Sequence, residues 1–302
     1  MHYNNWLKTI QNMSLPRIDL NNIPKEEVVD FQKMLLNTRI NLDVVPPRPP
    51  LAISIGKDER SYNGTHYPLR FGTYGNISMI KGEEKARKSF LKSLILACAS
   101  GGKANNYSED IVGHDLSDKY ILDIDTEQDD YDVWLNAIRI PKMVGAVPPN
   151  YVSLKLRNSK PKQRMQYIEW LFKESQFKNK IGICSIDGFV DCVSDFNDLH
   201  ECNDFVQKLM TLSSEEKAHI TGILHLNPGS IKARGHLGTL LQNKCETVVV
   251  IKDAGEYSEV ICQRARGKKF KDFTIRINDE WLPYVSDDEI GIEQASKNPL
   301  LR

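Results

Sequence analysis

Apolar positions along this chain follow two rhythms. Short apolar runs bounded by turn residues mark buried strands, and stretches with apolar residues at three- and four-residue intervals mark helices that bury one face. The clearest pair lies at 77–98: Ile77, Met79 and Ile80 predict a strand, a turn opens at Gly82, and Phe90, Leu91, Leu94, Ile95 and Cys98 predict a helix. From there the rhythms alternate. Strands are predicted at 120–125, 152–156, 181–187 and 220–225, with helices over 134–138, 162–175 and 203–213 between them. Such alternation predicts βαβ units, so the expected fold class is α/β: a mostly parallel sheet with helices on both faces. Three closely spaced strands, 247–251, 259–264 and 272–277, predict an antiparallel C-terminal edge on that sheet. Upstream, 51–55 and 67–71 predict short strands that lead through Gly72-Thr-Tyr-Gly75 into the strand at 77.

Residues 1–50 stand apart from this pattern. Asn22, followed by Pro24 and two acids, has helix-start chemistry, and Val28, Phe31, Met34 and Leu35 mark one face of a helix ending near Asn37. That face suits docking on a neighbouring copy or on the chain's own core. Pro46-Pro-Arg-Pro-Pro50 then enforces a stiff, extended connector. The expected organisation is an N-terminal arm and proline-rich linker at 1–50, a core at 51–285 and a tail at 286–302.

Composition narrows the partners. Lysine plus arginine total 40, and so do aspartate plus glutamate, so no global field draws in nucleic acid and any such site must be a local patch. The six cysteines, Cys98, Cys184, Cys192, Cys202, Cys245 and Cys262, include no C-x-x-C pair, which predicts free thiols in a reducing compartment. Cys192, His200 and Cys202 lie close in sequence but match no zinc spacing. No apolar run nears the ~18 residues of a membrane span and the N-terminus has no signal-peptide pattern, so a soluble, cytoplasmic protein with no membrane partner is expected.

The strongest chemical signal is the turn inside the first strand–helix pair. Gly82-Glu83-Glu84-Lys85-Ala86-Arg87-Lys88-Ser89 has the length and ends of a phosphate-binding loop, G-x-x-x-x-G-K-[ST], with Arg87 at the second glycine. A helix N-terminus offers unpaired N–H groups to phosphate; Lys88 would reach the terminal phosphates and Ser89 would ligate Mg²⁺, with Phe90 closing the stretch. The alternative is a basic, solvated turn with a chance Lys-Ser. Glu127 follows the strand at 120–125, where ligands of open α/β sheets lie, and a carboxylate there can orient and deprotonate an attacking water. The strand at 181–187 ends in Asp187, the pattern of a carboxylate that holds Mg²⁺ through water.

Three later features bear on partners. His225 ends the next strand, placed to contact a terminal phosphate or simply to satisfy the strand end. The loop at 228–238 is rich in glycine and base; Lys232, Arg234 and His236 suit the backbone of single-stranded nucleic acid, or else an ordinary surface loop. Arg264 and Arg266, two apart on one face of a late strand, suit charge stabilisation at a neighbouring subunit's nucleotide, or else a solvated hairpin.

In this order the pieces resemble the RecA-like P-loop ATPases, and more narrowly the RepA-type hexameric replicative helicase ATPases of plasmids, phages and mobile elements. The resemblance runs from about Leu51 to Tyr284 and rests on the stretch from Gly75 through Phe90, Ile124-Asp-Thr-Glu-Gln128, Ser185-Ile-Asp187, Leu224-His-Leu-Asn227 and Arg264-Ala-Arg266. It implies ATP and Mg²⁺ as cofactors, held by Lys88, Ser89 and Asp187. It also implies Glu127 as catalytic base, His225 as sensor, the loop after it as the DNA-contacting element, and Arg264 and Arg266 as a basic residue and a finger acting in trans. A homo-oligomeric ring, a hexamer in that group, single-stranded DNA and other replication or mobilisation proteins are the implied partners. Two positions depart from the pattern: Arg87 replaces a glycine, and Gly188 follows Asp187 where that group has Ser or Thr. Two other readings remain open, a nucleotide-binding loader or assembly module with little hydrolysis, and a small-molecule kinase.

Overall fold

The computed structural model describes residues 30–226 and 235–287. The chain divides into two units, Met1–Pro47 and Arg48–Arg302. In the first, helix α1 (Phe31–Thr38) is capped by Asp30, whose backbone is extended and whose carboxylate accepts the Lys33 N–H at 3.0 Å. The helix start expected at Asn22 lies outside the described residues.

The second unit is built on two sheets. Strands β1 (Leu51–Tyr62) and β2 (Thr65–Thr73) form a hairpin that pairs with β4 (Ile111–Gly113) in a three-stranded sheet. The large sheet contains β3 (Ile77–Gly82), β5 (Tyr120–Asp125), β6 (Tyr151–Lys155), β7 (Ile181–Asp187), β8 (His219–His225), β9 (Thr247–Asp253), β10 (Ser258–Ala265), β11 (Phe273–Ile277) and β12 (Pro283–Ser286). Its order is β12-β11-β10-β9-β3-β8-β7-β5-β6, with the six strands from β9 to β6 parallel and the last three antiparallel. The fold is therefore α/β, with a large, mostly parallel sheet flanked by helices and antiparallel strands at one edge.

Strand periodicity divides the core between two faces. On one, Ile80, Ile121, Ile183 and Ile223 pack with Leu91, Leu94 and Ile95 of α2 (Lys88–Ser100) and with Ile140 and Met143 of α4 (Arg139–Val144). On the other, Met79, Leu122, Ile124, Cys184 and Ile186 pack with α5 (Pro161–Lys173), α6 (Leu199–Glu215) and α7 (Gly235–Lys244). Helix α3 (Asp130–Ala137) sits next to α4 in sequence. All six cysteines are buried and free, four of them, Cys184, Cys192, Cys202 and Cys245, within the second core.

Several expectations change. The spacing predicts residues 247–251 as part of the antiparallel edge, yet β9 runs parallel beside β3, from Ser78↔Thr247 to Gly82↔Ile251; its Val-Val-Val-Ile run suits a strand buried on both faces. The strand carrying Arg264, with Arg266 one residue past its end, is thus internal, with β11 and β12 outside it. The helix expected over 134–138 is two short helices, with Pro141 in the first turn of the second, where its missing N–H costs nothing. Helix α6 begins four residues before the expected Asn203, because Asp198 accepts the Glu201 N–H at 2.8 Å. The loop expected through Gly238 gives way to α7 at Gly235.

Candidate functional site

Parallel strands leave a crevice outside their carboxyl ends, and here it is a cavity of about 760 Å³. Lys88, Ser89 and Phe90 enter it from the start of α2, Glu127 from beyond β5, Asp187 from β7 and His225 from β8. Glu84, Lys85 and Arg87 line it as well, while Gly82, Glu83 and Ala86 complete the connecting segment. Residues separated by more than 130 positions therefore meet at one sheet edge.

The connecting segment turns sharply. A Cβ on Gly82 would lie 2.6 Å from the Ile251 carbonyl oxygen, so only glycine lets β3 end against β9. Arg87 caps α2 from the left-handed region, φ +68°, where a glycine is usual. Its guanidinium is drawn to the β9–β10 turn, where Nη1 donates to Asp253 Oδ1 (3.0 Å), Tyr257 O (2.9 Å) and Ser258 Oγ (2.9 Å), and Nη2 to Gly255 O (2.5 Å). Lys88 folds back over the segment, its Nζ donating to Gly82 O (3.1 Å) and Glu83 O (2.5 Å); burial lowers its pKa, and the nearby carboxylates oppose that shift.

Behind the helix start lies a charge network. Ser89 Oγ donates to Asp187 Oδ2 at 3.0 Å. One helical turn on, the buried Lys92 places its ammonium 3.1 Å from the same oxygen and 2.9 Å from Asp123 Oδ1, and the Tyr151 hydroxyl donates to Asp123 Oδ2 at 2.9 Å. Asp125 accepts the N–H groups of Glu127 and Gln128 on Oδ1, while its Oδ2 is buried with no hydrogen-bond partner among the described residues. Burial raises the Asp125 pKa. Three carboxylates thus face a single ammonium.

This donor set suits a hard divalent cation. No group of three or more His, Cys, Asp or Glu converges as a metal cage among the described residues. Ser89 and Asp187 instead form a two-residue oxygen site of the kind that Mg²⁺ uses when phosphates and water complete its shell. The partnerless Asp125 oxygen and the excess negative charge favour a cation there.

Across the cavity, Glu127 Oε2 lies 3.8 Å from His225 Nε2, an electrostatic contact too long for a hydrogen bond. The His225 imidazole lowers the Glu127 pKa; the carboxyl is ionised at neutral pH, the state in which it can accept a proton. Thr126 fastens the ends of β5 and β7 together: its N–H and hydroxyl both reach Asp187 O, at 3.2 and 2.7 Å.

Other expected residues lie elsewhere. Arg264 Nη1 donates to Gln242 O and Arg266 Nη1 to Asn76 Oδ1, near the amino ends of the parallel strands and opposite the cavity. His236 is exposed on α7, and Lys232 and Arg234 lie outside the described residues. Sequence reasoning misses Lys92, Asp123, Asn136 and Arg139. A lysine four positions after Lys88 in an otherwise apolar helix, and Asp-Ile-Asp at strand spacing, are the signals that could have found the first two.

No family model and no curated protein matches the chain.

Proposed function

We propose that this chain is a Mg²⁺-dependent ATP hydrolase with a RecA-like P-loop core, working on single-stranded DNA as a homo-oligomer in the manner of a replicative helicase. The observation that carries this reading is the Ser89–Asp187 contact, beside Lys88 and across the cavity from Glu127. Lys88 exchanges the carbonyls of Gly82 and Glu83 for phosphate oxygens. The first N–H groups of α2 add their unpaired donors. Ser89 and Asp187 would hold Mg²⁺, which when bound would supply neutralising charge to the phosphates. Glu127 accepts a proton from water as the water oxygen bonds to the terminal phosphorus and the bond to the ADP oxygen breaks, giving ADP and inorganic phosphate. His225, next to Glu127, is the residue that would sense a terminal phosphate.

The test is ATP turnover with and without single-stranded DNA over a range of protein concentrations. Turnover should rise with DNA and concentration, vanish in Lys88→Ala, and fall about 10²- to 10⁴-fold in Glu127→Gln. A Glu127→Gln enzyme with intact turnover removes the assigned base. A second reading, a nucleotide-responsive loader with negligible turnover, draws on the bonds from Arg87 to the β9–β10 turn, which tie the loop to a distant hairpin. Tight nucleotide binding without turnover under every condition selects it.

A further inference from the structure

Arg139 lines the same cavity as Lys88 and Ser89, yet its charge has no carboxylate partner among the described residues. The other partly buried basic side chains at this site are engaged: Arg87 by Asp253, Lys88 by two carbonyls, and His225 by Glu127. The Arg139 guanidinium instead lies over the Phe90 ring, 3.7 Å from its centroid. Its Nη1 donates to Asn136 Oδ1 at 2.6 Å, and Asn136 Nδ2 donates in turn to Gln128 Oε1 at 2.8 Å.

Each of these contacts orients the group without neutralising it. The ring covers one face, the Asn136–Gln128 amides fix one edge, and the other edge carries N–H groups that an incoming anion can take. Burial without a counter-ion lowers the Arg139 pKa to about 10, the expected response of a desolvated cation. A guanidinium kept half-buried, oriented and without a counter-charge beside a cavity is costly unless an anion arrives to meet it.

We propose that Arg139 binds a phosphate oxygen of the nucleotide in cis, on the portion shared by di- and triphosphates. The location follows from Phe90, which directly follows Ser89 in the first turn of α2, whereas the attack end is marked by Glu127 and His225. This inference rests on the nucleotide-binding reading above and adds a residue to it. The planar fork of arginine suits phosphate, and the Phe90 shelf holds it ready before the ligand binds.

The experiment measures ADP and ATP affinity by calorimetry for the full chain, Arg139→Gln, Arg139→Lys and Lys88→Ala, with circular dichroism melts to confirm folding and sedimentation to follow assembly. A lost hydrogen bond to a charged group corresponds to roughly a 10- to 100-fold weakening. Arg139→Gln should weaken ADP and ATP alike by that factor, with Arg139→Lys recovering part of it. Folded Arg139→Gln with unchanged affinity overturns the assignment while leaving the nucleotide reading intact. Altered assembly with unchanged affinity also overturns it, making Arg139 a contact for a neighbouring copy. A wild-type chain that binds neither nucleotide overturns both, and Lys88→Ala binding as tightly as wild type overturns the nucleotide reading by itself.

Discussion

Replacing Arg87 by glycine would restore the motif spacing G-x-x-x-x-G-K-S, and on sequence grounds it reads as a repair. The structure predicts a loss of stability. Glycine relieves the left-handed backbone, worth about 1 kcal/mol. Against that, it adds conformational freedom to the unfolded chain, about 0.5–1 kcal/mol. It also removes the Asp253 ion pair, whose partners are 23% and 52% exposed and which is therefore worth under about 1 kcal/mol. The three bonds to Gly255 O, Tyr257 O and Ser258 Oγ are the larger loss, at about 0.5–1.5 kcal/mol each. The net destabilisation is about 1–5 kcal/mol, to be read from urea unfolding midpoints at unchanged slope. Asp253→Asn, which keeps the backbone conformation and the other three bonds, should cost less than about 1 kcal/mol. An Arg87→Gly protein as stable as wild type, or more stable, refutes the reasoning and means that backbone strain outweighs the bonds to the turn.

Two further outcomes follow from the buried charges. Lys92→Met leaves Asp123 and Asp187 without their ammonium, and breaking a buried pair in this way costs about 3–5 kcal/mol; the loss should shrink when Mg²⁺ replaces EDTA, and a melting curve insensitive to Mg²⁺ argues against a cation site at Asp187. His219 is wholly buried, its Nδ1 donating to Thr73 O and its Nε2 hydrogen-bonded to Ser78 Oγ, and burial pushes its pKa from 6.5 down to about 4. The unfolded chain then binds a proton that the folded chain refuses, so His219 removes up to about 3 kcal/mol of stability as pH falls from 6.5 to 4. Glu246, 4.0 Å away and raised in pKa by burial, acts in the opposite sense. The measurement is therefore the difference between wild type and His219→Gln, which should narrow steadily over that interval, and a constant difference contradicts it.

What the sequence disclosed was local. Apolar runs placed β3, β5, β7 and β8 to within a residue or two at most ends, because a strand buried on both faces must be apolar throughout. The meeting of Lys88, Ser89, Glu127, Asp187 and His225 was legible too, since each stands at a carboxyl strand end or the helix start beside it. Pairing direction was legible only through composition: the close spacing of β9 to its antiparallel neighbours suggests one edge, whereas its continuous Val-Val-Val-Ile run, unlike the alternating β10, marks a strand buried on both faces. The three-residue β4 carries too few positions for any periodicity. Lys92 and Arg139 were hidden for another reason. Lys92 draws its meaning from carboxylates 31 and 95 positions away, and Arg139 from the Phe90 ring beneath it; neither contact leaves a trace in the residues alongside.

The opposite placement of Arg264 and Arg266 has a consequence for mixtures of molecules. Arg264 stands level with Val248 and hence with Met79, three residues of strand, about 10 Å, short of Gly82, and both guanidinium groups are bonded on that far side. One molecule therefore cannot present these arginines to its own cavity. If they serve catalysis, a chain carrying Lys88→Ala and a chain carrying Arg266→Ala are each inactive alone, yet blending them rebuilds intact junctions wherever an unaltered cavity faces an unaltered arginine. Recovered activity as a function of mixing ratio then counts such junctions, and so reads the assembly's geometry from kinetics alone.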